Sequence, residues 1–428
     1  MSEADWDRLQ YYSRKVKFIA MSPDTHGPQV HPSTYIRIAQ LQTSVLFPSL
    51  RRLHYNLGNN FISHNLGNNF ISHIFLFLSP LLDSLELFKI GGFENTIVGP
   101  FLATLSSQML TRIVLHTGRM SADVLKNFIV YSKQLRSLDL TDAVVMSDFS
   151  LWEVLGTLPS LEDLTLKAVD SGSHPTHIPV NSNSRSESPK YFEALKALSV
   201  TGSFFLIQHL LGFIDSQCLK SINIYPVTNL VRFPEAIMTM VVSKWSQSLK
   251  KLVIDSSAFA NARRSGCEIT TGLMLLTDLH EIQAFHLKGW RMENMDNDVR
   301  RLVMSWPNLR TLKVIPLNQT SISLSTLRII AENCPELRYL GVRLDNSTFD
   351  TTTSSKSLHH NLEILDVRRV DVRSSSTQTT LECQIQVARN LDLIFPYLKS
   401  IEVEPNDGGT WSGIRNLVKL CQEIRRVK

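Results

Sequence analysis

One short apolar pattern recurs along the whole chain. The segment LRSLDL at 135–140 returns 26 residues later as LEDLTL at 161–166. The same frame, with apolar residues at positions one, four and six, occurs 13 times with a mean spacing of 29 residues. Its first positions are Leu50, Leu82, Leu110, Leu135, Leu161, Leu195, Leu219, Leu249, Leu279, Leu309, Leu337, Leu362 and Leu398. A weaker copy is suggested at Val16 and Phe18. A fixed period of about 20–50 residues is the signature of a repeat architecture.

Each copy predicts a strand that is followed by a helix. Positions four and six of a strand share one face and point inward, while positions three, five and seven point outward. Helical patterns at 124–129 (with Ser121 as N-cap), 297–306 and 324–331 lie between the frames. Because one such unit cannot bury its own apolar face, stacked units must share a core. The sequence therefore predicts an α/β solenoid, with a curved parallel sheet on its concave side and helices on its convex side. A doubly wound sheet also alternates strand and helix, but that fold does not require the same spacing of apolar residues at positions one, four and six to recur 13 times.

The spacing of the frames defines the expected organisation of the chain. We expect residues 1–45 to form an N-terminal cap, with room for a degenerate first repeat, and residues 46–428 to form a solenoid of about 13 repeats. Segments rich in Ser, Thr, Asn and Pro predict loops at 174–190, 345–360 and 373–380. The nonapeptide NLGNNFISH occurs at 56–64 and again at 65–73, which indicates a small duplication, or an artefact of the gene model, accommodated as a loop.

Composition excludes several classes of protein. With 43% hydrophobic residues the 428-residue chain can bury a core, and its net charge of +5 is too small for its length to indicate a nucleic-acid binder. The five cysteines are widely spaced without a CxxC pair, which favours a reducing compartment. Neither a secretion leader nor an apolar run of membrane-spanning length is present in the sequence. We therefore expect an intracellular protein, cytoplasmic or nuclear, without a membrane or nucleic-acid partner.

The sequence offers no catalytic constellation. Phosphate-loop, dinucleotide-binding, HExxH and GxSxG motifs are all missing from it. His174 and His177 form an HxxH in a polar loop without a third ligand, and His359 and His360 are expected in another polar loop. Cys334 falls at a repeat position that predicts a packed thiol rather than a nucleophile. We predict no enzyme activity, no catalytic residue, no metal and no cofactor.

The outward strand positions carry both signs of charge and scattered aromatic residues, which suits a protein partner on the concave face. For the Leu279 copy the frame places Glu281, Gln283 and Phe285 outward. The most concentrated patch lies on three adjacent strands nearer the C-terminus, and we predict partner binding there. Its residues are Arg310, Lys313, Arg338, Tyr339, Arg343, Asp366 and Arg368.

Position two of the frame forms a separate, mostly basic stripe. Eight of the 13 residues are basic, namely Arg51, Arg136, Lys196, Lys220, Lys250, Arg310, Arg338 and Lys399. The other five are Asp83, Thr111, Glu162, His280 and Glu363. One interpretation is an electrostatic rim for an acidic or phosphorylated partner. The alternative, which we favour, is that long Lys and Arg stems cover apolar edges while their charges stay in water.

The frame resembles leucine-rich repeats of the ribonuclease-inhibitor-like, cysteine-containing type. AENCPELRYL at 331–340 matches that type at the end of a helix and the start of a strand, and LPSL at 158–161, WPNL at 306–309 and FPYL at 395–398 are similar. The family usually has Asn or Cys three residues after the sixth position, where Ala143, Val169 and Asp345 stand here. The resemblance implies the solenoid fold and a role in binding proteins.

The opening of the chain resembles F-box/leucine-rich-repeat proteins of mushroom-forming fungi. The matching segments are ADWDRLQYYSRKV at 4–16 and LFPSLRRL at 46–53, in the region that follows the F-box. In that family the F-box docks on the Skp adaptor of a cullin-RING ubiquitin ligase and the repeats present a substrate. The chain starts where the F-box should already have ended, so we expect either a longer product that includes it or a protein that has lost the link to the ligase.

The resemblance therefore implies the substrate-binding repeat region of an F-box-type ubiquitin-ligase subunit, with a protein substrate and, where an F-box precedes the repeats, the Skp adaptor as partners. Two alternatives belong to other classes. One is a stand-alone repeat scaffold unrelated to ubiquitin. The other is a regulator of a partner enzyme, which strongly acidic repeats or an added catalytic Arg loop would indicate.

Overall fold

The computed structural model describes residues 3–21, 34, 37–38, 40, 45–56, 71–88, 98–105, 109–116, 121–141, 149–167, 191–227, 233–257, 269–318, 320–344, 358–368, 381–403 and 410–427. The chain divides into two compact units, residues 1–218 and 219–428. The loops predicted at 174–190 and 373–380, and His174 and His177, lie outside the described residues. So do most of the loop predicted at 345–360 and most of the duplicated nonapeptide.

The first unit contains seven strands within the ranges given above. They are β1 (Phe18–Met21), β2 (Arg52–Asn56), β3 (Ser84–Phe88), β4 (Arg112–His116), β5 (Ser137–Thr141), β6 (Asp163–Lys167) and β7 (Ala197–Gly202). Its helices are α1 (Glu3–Ser13), α2 (Gly99–Leu105), α3 (Ala122–Tyr131), α4 (Phe149–Gly156) and α5 (Phe204–Phe213), with a 3-10 helix at Ile71–Phe77. Each strand pairs in parallel with the next one. The weak copy suggested near Val16 and Phe18 is the strand β1.

The second unit repeats this arrangement. Its strands are β8 (Ser221–Pro226), β9 (Lys251–Asp255), β10 (Ala284–Lys288), β11 (Thr311–Ile315), β12 (Tyr339–Arg343), β13 (Ile364–Arg368) and β14 (Ser400–Val403). Its helices are α6 (Phe233–Trp245), α7 (Thr270–Leu275), α8 (Met295–Ser305), α9 (Leu324–Asn333), α10 (Leu381–Ile394) and α11 (Thr410–Val427). Consecutive strands are again parallel, and the position-three residue of each strand pairs with the position-three residue of its neighbour.

The core of each unit consists of inward strand residues and one face of each helix. Positions four and six are buried in nearly every strand, as with Leu138 and Leu140 on β5 and Leu312 and Val314 on β11. These positions alternate with outward ones that are mostly exposed or half-buried, although position five is also buried on β4, β9, β12 and β13. Each strand therefore presents one face to the helices and the other outward. The parallel strands that alternate with helices confirm the α/β leucine-rich-repeat solenoid. The division at residue 45 into a cap and a solenoid of about 13 repeats stays a prediction.

The helices begin and end where the sequence indicates. The hydroxyl of Ser121 accepts a hydrogen bond from the backbone N–H of Val124 at the N-terminus of α3, as predicted for an N-cap. Helix α9 ends at Asn333, two residues before Pro335, because proline cannot continue the backbone hydrogen bonds of a helix. Within the described part of the chain, no helix is long and apolar enough to cross a membrane.

Backbone hydrogen bonds join consecutive repeats at position two within each unit. The carbonyl of Arg310 accepts the N–H groups of Arg338 at 2.9 Å and Tyr339 at 3.2 Å. The same pattern recurs in both units, for example at the carbonyl of Arg136. One carbonyl thus receives two donors from the following repeat, and this fixes the register of the strand starts within each unit.

One repeat frame of the sequence is wrong. Ala284 pairs with Lys251 and Thr311, which are both position-three residues, so this copy begins at Ile282 rather than Leu279. Phe285 therefore occupies position four and is fully buried, contrary to its predicted outward position. Gln283, predicted at outward position five, takes position two instead of His280, since its carbonyl accepts the N–H groups of the next position-two and position-three residues.

Candidate functional site

The predicted binding patch lies on β11, β12 and β13 of the second unit. Arg310 and Arg338 directly precede strands and are exposed, while Asp366 is buried on β13. The other four residues, Lys313, Tyr339, Arg343 and Arg368, are half-buried on the outward face. The structure therefore places all seven residues on or next to three neighbouring strands, and Asp366 is the buried one among them.

Asp366 is the centre of a hydrogen-bonded network that we call the Asp366 network, made of Lys313, Tyr339, Asp366 and Arg368. The Lys313 ammonium and the Tyr339 hydroxyl donate to Asp366 Oδ2 at 3.1 Å and 2.7 Å. The Nε of Arg368 lies 2.9 Å from Asp366 Oδ1, and Lys313 Nζ also lies 3.3 Å from the Tyr339 hydroxyl oxygen. Four polar side chains from three strands thus hold one another in fixed positions.

Gly341 makes this network possible. It stands at position five of β12, between Lys313 on β11 and Asp366 on β13, which occupy the same position of their own strands. A Cβ at Gly341 would lie 3.1 Å from Lys313 Cγ and 3.3 Å from Tyr339 Cε1, both closer than ordinary contact. The missing side chain lets Lys313 extend over β12 to reach Asp366.

The charges of the network shift the pKa of two of its members. Burial alone would raise the pKa of Asp366, but hydrogen bonds from Tyr339, Arg368 and Lys313 outweigh it and hold the pKa below its ordinary value. Burial raises the pKa of Tyr339, and donation to the Asp366 carboxylate raises it further. At neutral pH the Asp366 carboxyl group is therefore ionised and the Tyr339 phenol is neutral.

The three remaining residues of the predicted patch lie outside the Asp366 network. Arg310 pairs with Glu336 at 2.9 Å and Arg338 pairs with Glu363 at 3.5 Å, both at the start of the strands. Arg343 donates to the backbone carbonyl of Asn318. The structure thus separates the patch into a network around one buried carboxylate, two arginines at the strand starts, and Arg343 at the opposite end of β12.

The basic stripe at position two is partly neutralised. Lys196 pairs with Glu162 at 2.8 Å in the first unit, and Lys399 pairs with Glu363 at 2.9 Å in the second. The hydrogen bond from Lys399, together with the charges of Lys399 and Arg338, holds the pKa of Glu363 below its ordinary value. Acidic residues of the stripe therefore serve as partners for their basic neighbours.

The outward face of the first unit has a different chemistry. His54 Nδ1 lies 3.0 Å from Glu86 Oε2, and the ring centroid of Phe88 lies 4.8 Å from that of His54 and 4.5 Å from that of His116. His116 in turn approaches Asp139 at 3.9 Å. This row combines histidines, carboxylates and one aromatic ring, whereas the outward positions of β9–β13 include the basic residues Lys251, Lys288, Lys313, Arg343 and Arg368.

The predicted packed thiol of Cys334 is confirmed, and His360, expected in a polar loop, lies outside the helices and strands but is buried. Cys334 is fully buried and donates to the carbonyls of Val303 and Trp306, and burial raises the pKa of its thiol to about 12. His360 is also buried. Its Nε2 lies 2.8 Å from the Cys334 carbonyl oxygen, and its Nδ1 accepts from the N–H of Leu362. Both side chains therefore join neighbouring repeats.

Among the residues with described positions, no group of three or more His, Cys, Asp or Glu side chains is placed to hold a metal ion. The most specific features of the outward face are the Asp366 network and the basic residues around it. Gly341 and His286, both on this face, were missed by the sequence analysis. His286 was missed because the Leu279 copy was given the wrong frame. The two large apolar residues Phe285 and Leu287, spaced as positions four and six, could have indicated the correct frame.

No protein-family model matches the chain, and no curated protein matches it either. Among solved structures, the chain is similar to the yeast Rad7 and Elc1 complex, with 14% identity, a TM-score of 0.40, and coverage of 88% of this chain and 94% of that one. A leucine-rich-repeat protein of Leptospira interrogans shows 12% identity and a TM-score of 0.30, covering 92% and 98%. The leucine-rich-repeat-containing protein LegL7 of Legionella pneumophila shows 10% identity and a TM-score of 0.35, covering 94% and 97%. With likenesses of this size, the fold assignment rests on the chain's own repeats and strands.

Proposed function

We propose that the chain recognises another protein through the outward face of β11, β12 and β13. The observation that carries the proposal is the Asp366 network, which holds Lys313, Tyr339 and Arg368 in fixed positions on a partly exposed surface. Protein interfaces are enriched in Tyr and Arg, and side chains that are already ordered lose less conformational entropy when a partner binds.

The exposed arginines would form the border of this surface. Arg310 and Arg338 each face one glutamate at the strand starts, and such exposed pairs contribute little to stability. They can therefore exchange those glutamates for groups on a partner at little cost. Charges at the border of an interface mainly accelerate association and select among partners.

Affinity capture with the full chain tests the proposal. We expect the double variant Arg310→Gln/Arg338→Gln to lose most of a partner that the wild type captures specifically, while its urea unfolding midpoint stays near that of the wild type. The control Arg415→Gln removes an exposed charge from helix α11 and should capture the partner normally. Equal capture by all three proteins would contradict the proposed surface.

We further propose that this is the substrate-binding repeat region of an F-box-type subunit of a cullin-RING ubiquitin ligase. The support is the resemblance of segments 4–16 and 46–53 to the region that follows the F-box in that family. In the structure these segments supply α1 and the start of β2, and β1 lies between them. The bound protein would then be a ubiquitylation substrate.

Two measurements test this finer proposal. The transcript upstream of Met1 is sequenced, and the full product is assayed for co-purification with Skp adaptor. An in-frame F-box with recovery of the adaptor supports ligase membership. A stop codon upstream and no adaptor would leave a repeat protein that acts outside ubiquitin transfer.

A further inference from the structure

A cluster of basic side chains lies beside the Asp366 network, on β9, β10 and β11. Lys251 is at position three of β9, and His286 and Lys313 are at position five of β10 and β11. Neighbouring strands lie about 4.8 Å apart and same-face positions about 7 Å apart along a strand, so the three side chains start from one small area, and the Lys313 ammonium then leans over β12 to Asp366. We call these three residues the basic triad.

The floor of that area is formed by short side chains. Ala284 and Thr311 occupy position three of β10 and β11, next to Lys251 in the same row, and Tyr339 follows on β12. Two small residues between a lysine and a tyrosine leave space above the sheet that a ligand group can enter. Lys251 and His286 can therefore approach a ligand without displacing a bulky neighbour, and Lys313 adds its charge from its place beside Asp366.

The triad has more positive charge than its surroundings neutralise. Lys251 is exposed and forms no ion pair with any carboxylate in the described part of the chain, and Lys313 shares the single charge of Asp366 with Arg368. Burial, followed by the charges of Lys251 and Lys313, lowers the pKa of His286. The positive charges are thus close enough to act on that ring.

One hydrogen-bonding atom of the triad lacks a partner. The Nε2 atom of His286 is buried and makes no hydrogen bond to any described residue. A buried polar atom of this kind is costly to leave unpaired, and an oxygen atom of a ligand is the group that an imidazole N–H would satisfy. The positive charge and the orphaned nitrogen therefore indicate an anionic oxygen ligand, and because Nε2 is covered in this structure, its contact with the ligand requires the His286 ring to rotate.

We propose that the basic triad binds a carboxylate or phosphate group on an acidic segment of the partner protein. This inference rests on the proposed function, because it names the chemistry of the partner at the same sheet face. Charge-assisted hydrogen bonds from lysine and histidine are the strong contacts of such a site.

A protein segment fits this site better than a nucleic acid does. Asp255 lies on β9 beyond Lys251, and Asp366 and Glu402 lie on β13 and β14. These carboxylates limit the positive area to a single spot, whereas a nucleic-acid strand needs a basic track along successive phosphates. A single acidic group within a peptide matches one isolated spot.

Fluorescence anisotropy with the full chain tests the inference. The probes are a labelled glutamate-rich peptide, the same peptide with one phosphoserine, a labelled single-stranded RNA, and inorganic phosphate as competitor. We expect Lys251→Gln and His286→Gln each to weaken peptide binding by about ten-fold. The matched control is Lys250→Gln, which removes the same charge from the exposed neighbouring residue at position two.

The probes also separate the two sources of the anion. Tighter binding of the phosphoserine peptide, with competition by inorganic phosphate, assigns a phosphate, and tighter binding of the glutamate peptide assigns a carboxylate.

The inference is overturned when neither peptide binds, when Lys250→Gln weakens binding as much as Lys251→Gln, or when a single-stranded RNA binds more tightly than both peptides. Partner capture that needs Arg310 and Arg338 but not Lys251 would overturn this inference alone. Peptide binding that needs Lys251, with capture insensitive to the two arginines, would overturn only the proposed surface.

Discussion

Lys313 Nζ lies 3.1 Å from Asp366 Oδ2, although β12 separates the strands that carry these two residues. The Lys313 side chain passes over Gly341 to form this ion pair, and the Tyr339 hydroxyl donates a hydrogen bond to the same carboxylate oxygen. A single residue without a side chain therefore allows three strands to share one buried charge.

The first prediction concerns Gly341→Ala. The added methyl would contact Lys313 Cγ and Tyr339 Cε1, so the Lys313–Asp366 pair should be displaced and the free energy of unfolding should fall by about 1–2 kcal/mol. Urea unfolding measures this change. The control Gly212→Ala has no heavy atom within 4 Å of the new Cβ on helix α5, and it should be neutral or stabilising by up to about 1 kcal/mol. Similar losses in both variants would mean that Gly341 has no special role.

The sequence revealed the framework of the fold, since the Leu-x-x-Leu-x-Leu frame is a local pattern that each repeat carries in full. It failed at the Leu279 copy because two frames that differ by three residues overlap there. The frame that starts at Leu279 has Ala284 at position six, and the frame that starts at Ile282 has Phe285 and Leu287 at positions four and six. A pattern of apolar residues cannot choose between two such overlapping frames. The pairing of β10 with its two neighbours decides between them.

Contacts between repeats could not be predicted in the same way. The sequence placed Lys313 and Asp366 in one patch but not in one ion pair, because that pair depends on the space above Gly341. Likewise, His360 resembles a loop residue until its partners are known, the carbonyl of Cys334 in the preceding repeat and the N–H of Leu362. Such partners are set by the stacking register, which no single repeat encodes.

The second prediction tests the corrected frame. Because Phe285 is fully buried at position four, Phe285→Ala should lower the free energy of unfolding by about 3–5 kcal/mol. His280 is exposed in the turn before β10, so His280→Ala should change it by less than about 0.5 kcal/mol. Chemical denaturation of both variants provides the comparison. A small loss for Phe285→Ala would restore the frame that starts at Leu279.

The third prediction concerns the ionisation of Tyr339. Asp366 raises the pKa of Tyr339 through its hydrogen bond and its negative charge, in addition to burial. Asp366→Asn should therefore lower that pKa, and it should destabilise the fold by about 3 kcal/mol because Lys313 and Arg368 lose their shared carboxylate. Ultraviolet absorbance of phenolate during a pH titration measures the first effect, with Tyr339→Phe identifying the signal. An unchanged titration in Asp366→Asn would refute the coupling.

The fourth prediction is a loss of stability in mild acid. Burial lowers the pKa of His360 and His209, and the hydrogen bond between His360 and the Cys334 carbonyl opposes this shift only partly. The unfolded chain therefore binds more protons than the folded chain once the pH falls below the ordinary value of 6.5. The free energy of unfolding should decrease from there down to the lower pKa of the folded state.

Urea unfolding at a series of pH values measures that decrease. His360→Asn is the informative variant, because it removes one of the titrating groups. Its stability should depend less steeply on pH than that of the wild type, whatever its absolute stability. A slope equal to that of the wild type would show that His360 titrates alike in the folded and unfolded chains.

The central claim is that the face of β11–β13 contacts a partner protein. Photo-crosslinking tests it most directly, with a photoreactive amino acid placed at position 336, next to Arg310 at the border of that face, or at position 415 on helix α11. Both positions are exposed, so neither replacement should disturb the core, and neither removes an arginine of the proposed surface. We predict that the captured partner is crosslinked from position 336 and not from position 415. Crosslinking from position 415 alone would place the partner on the helical side and contradict the account.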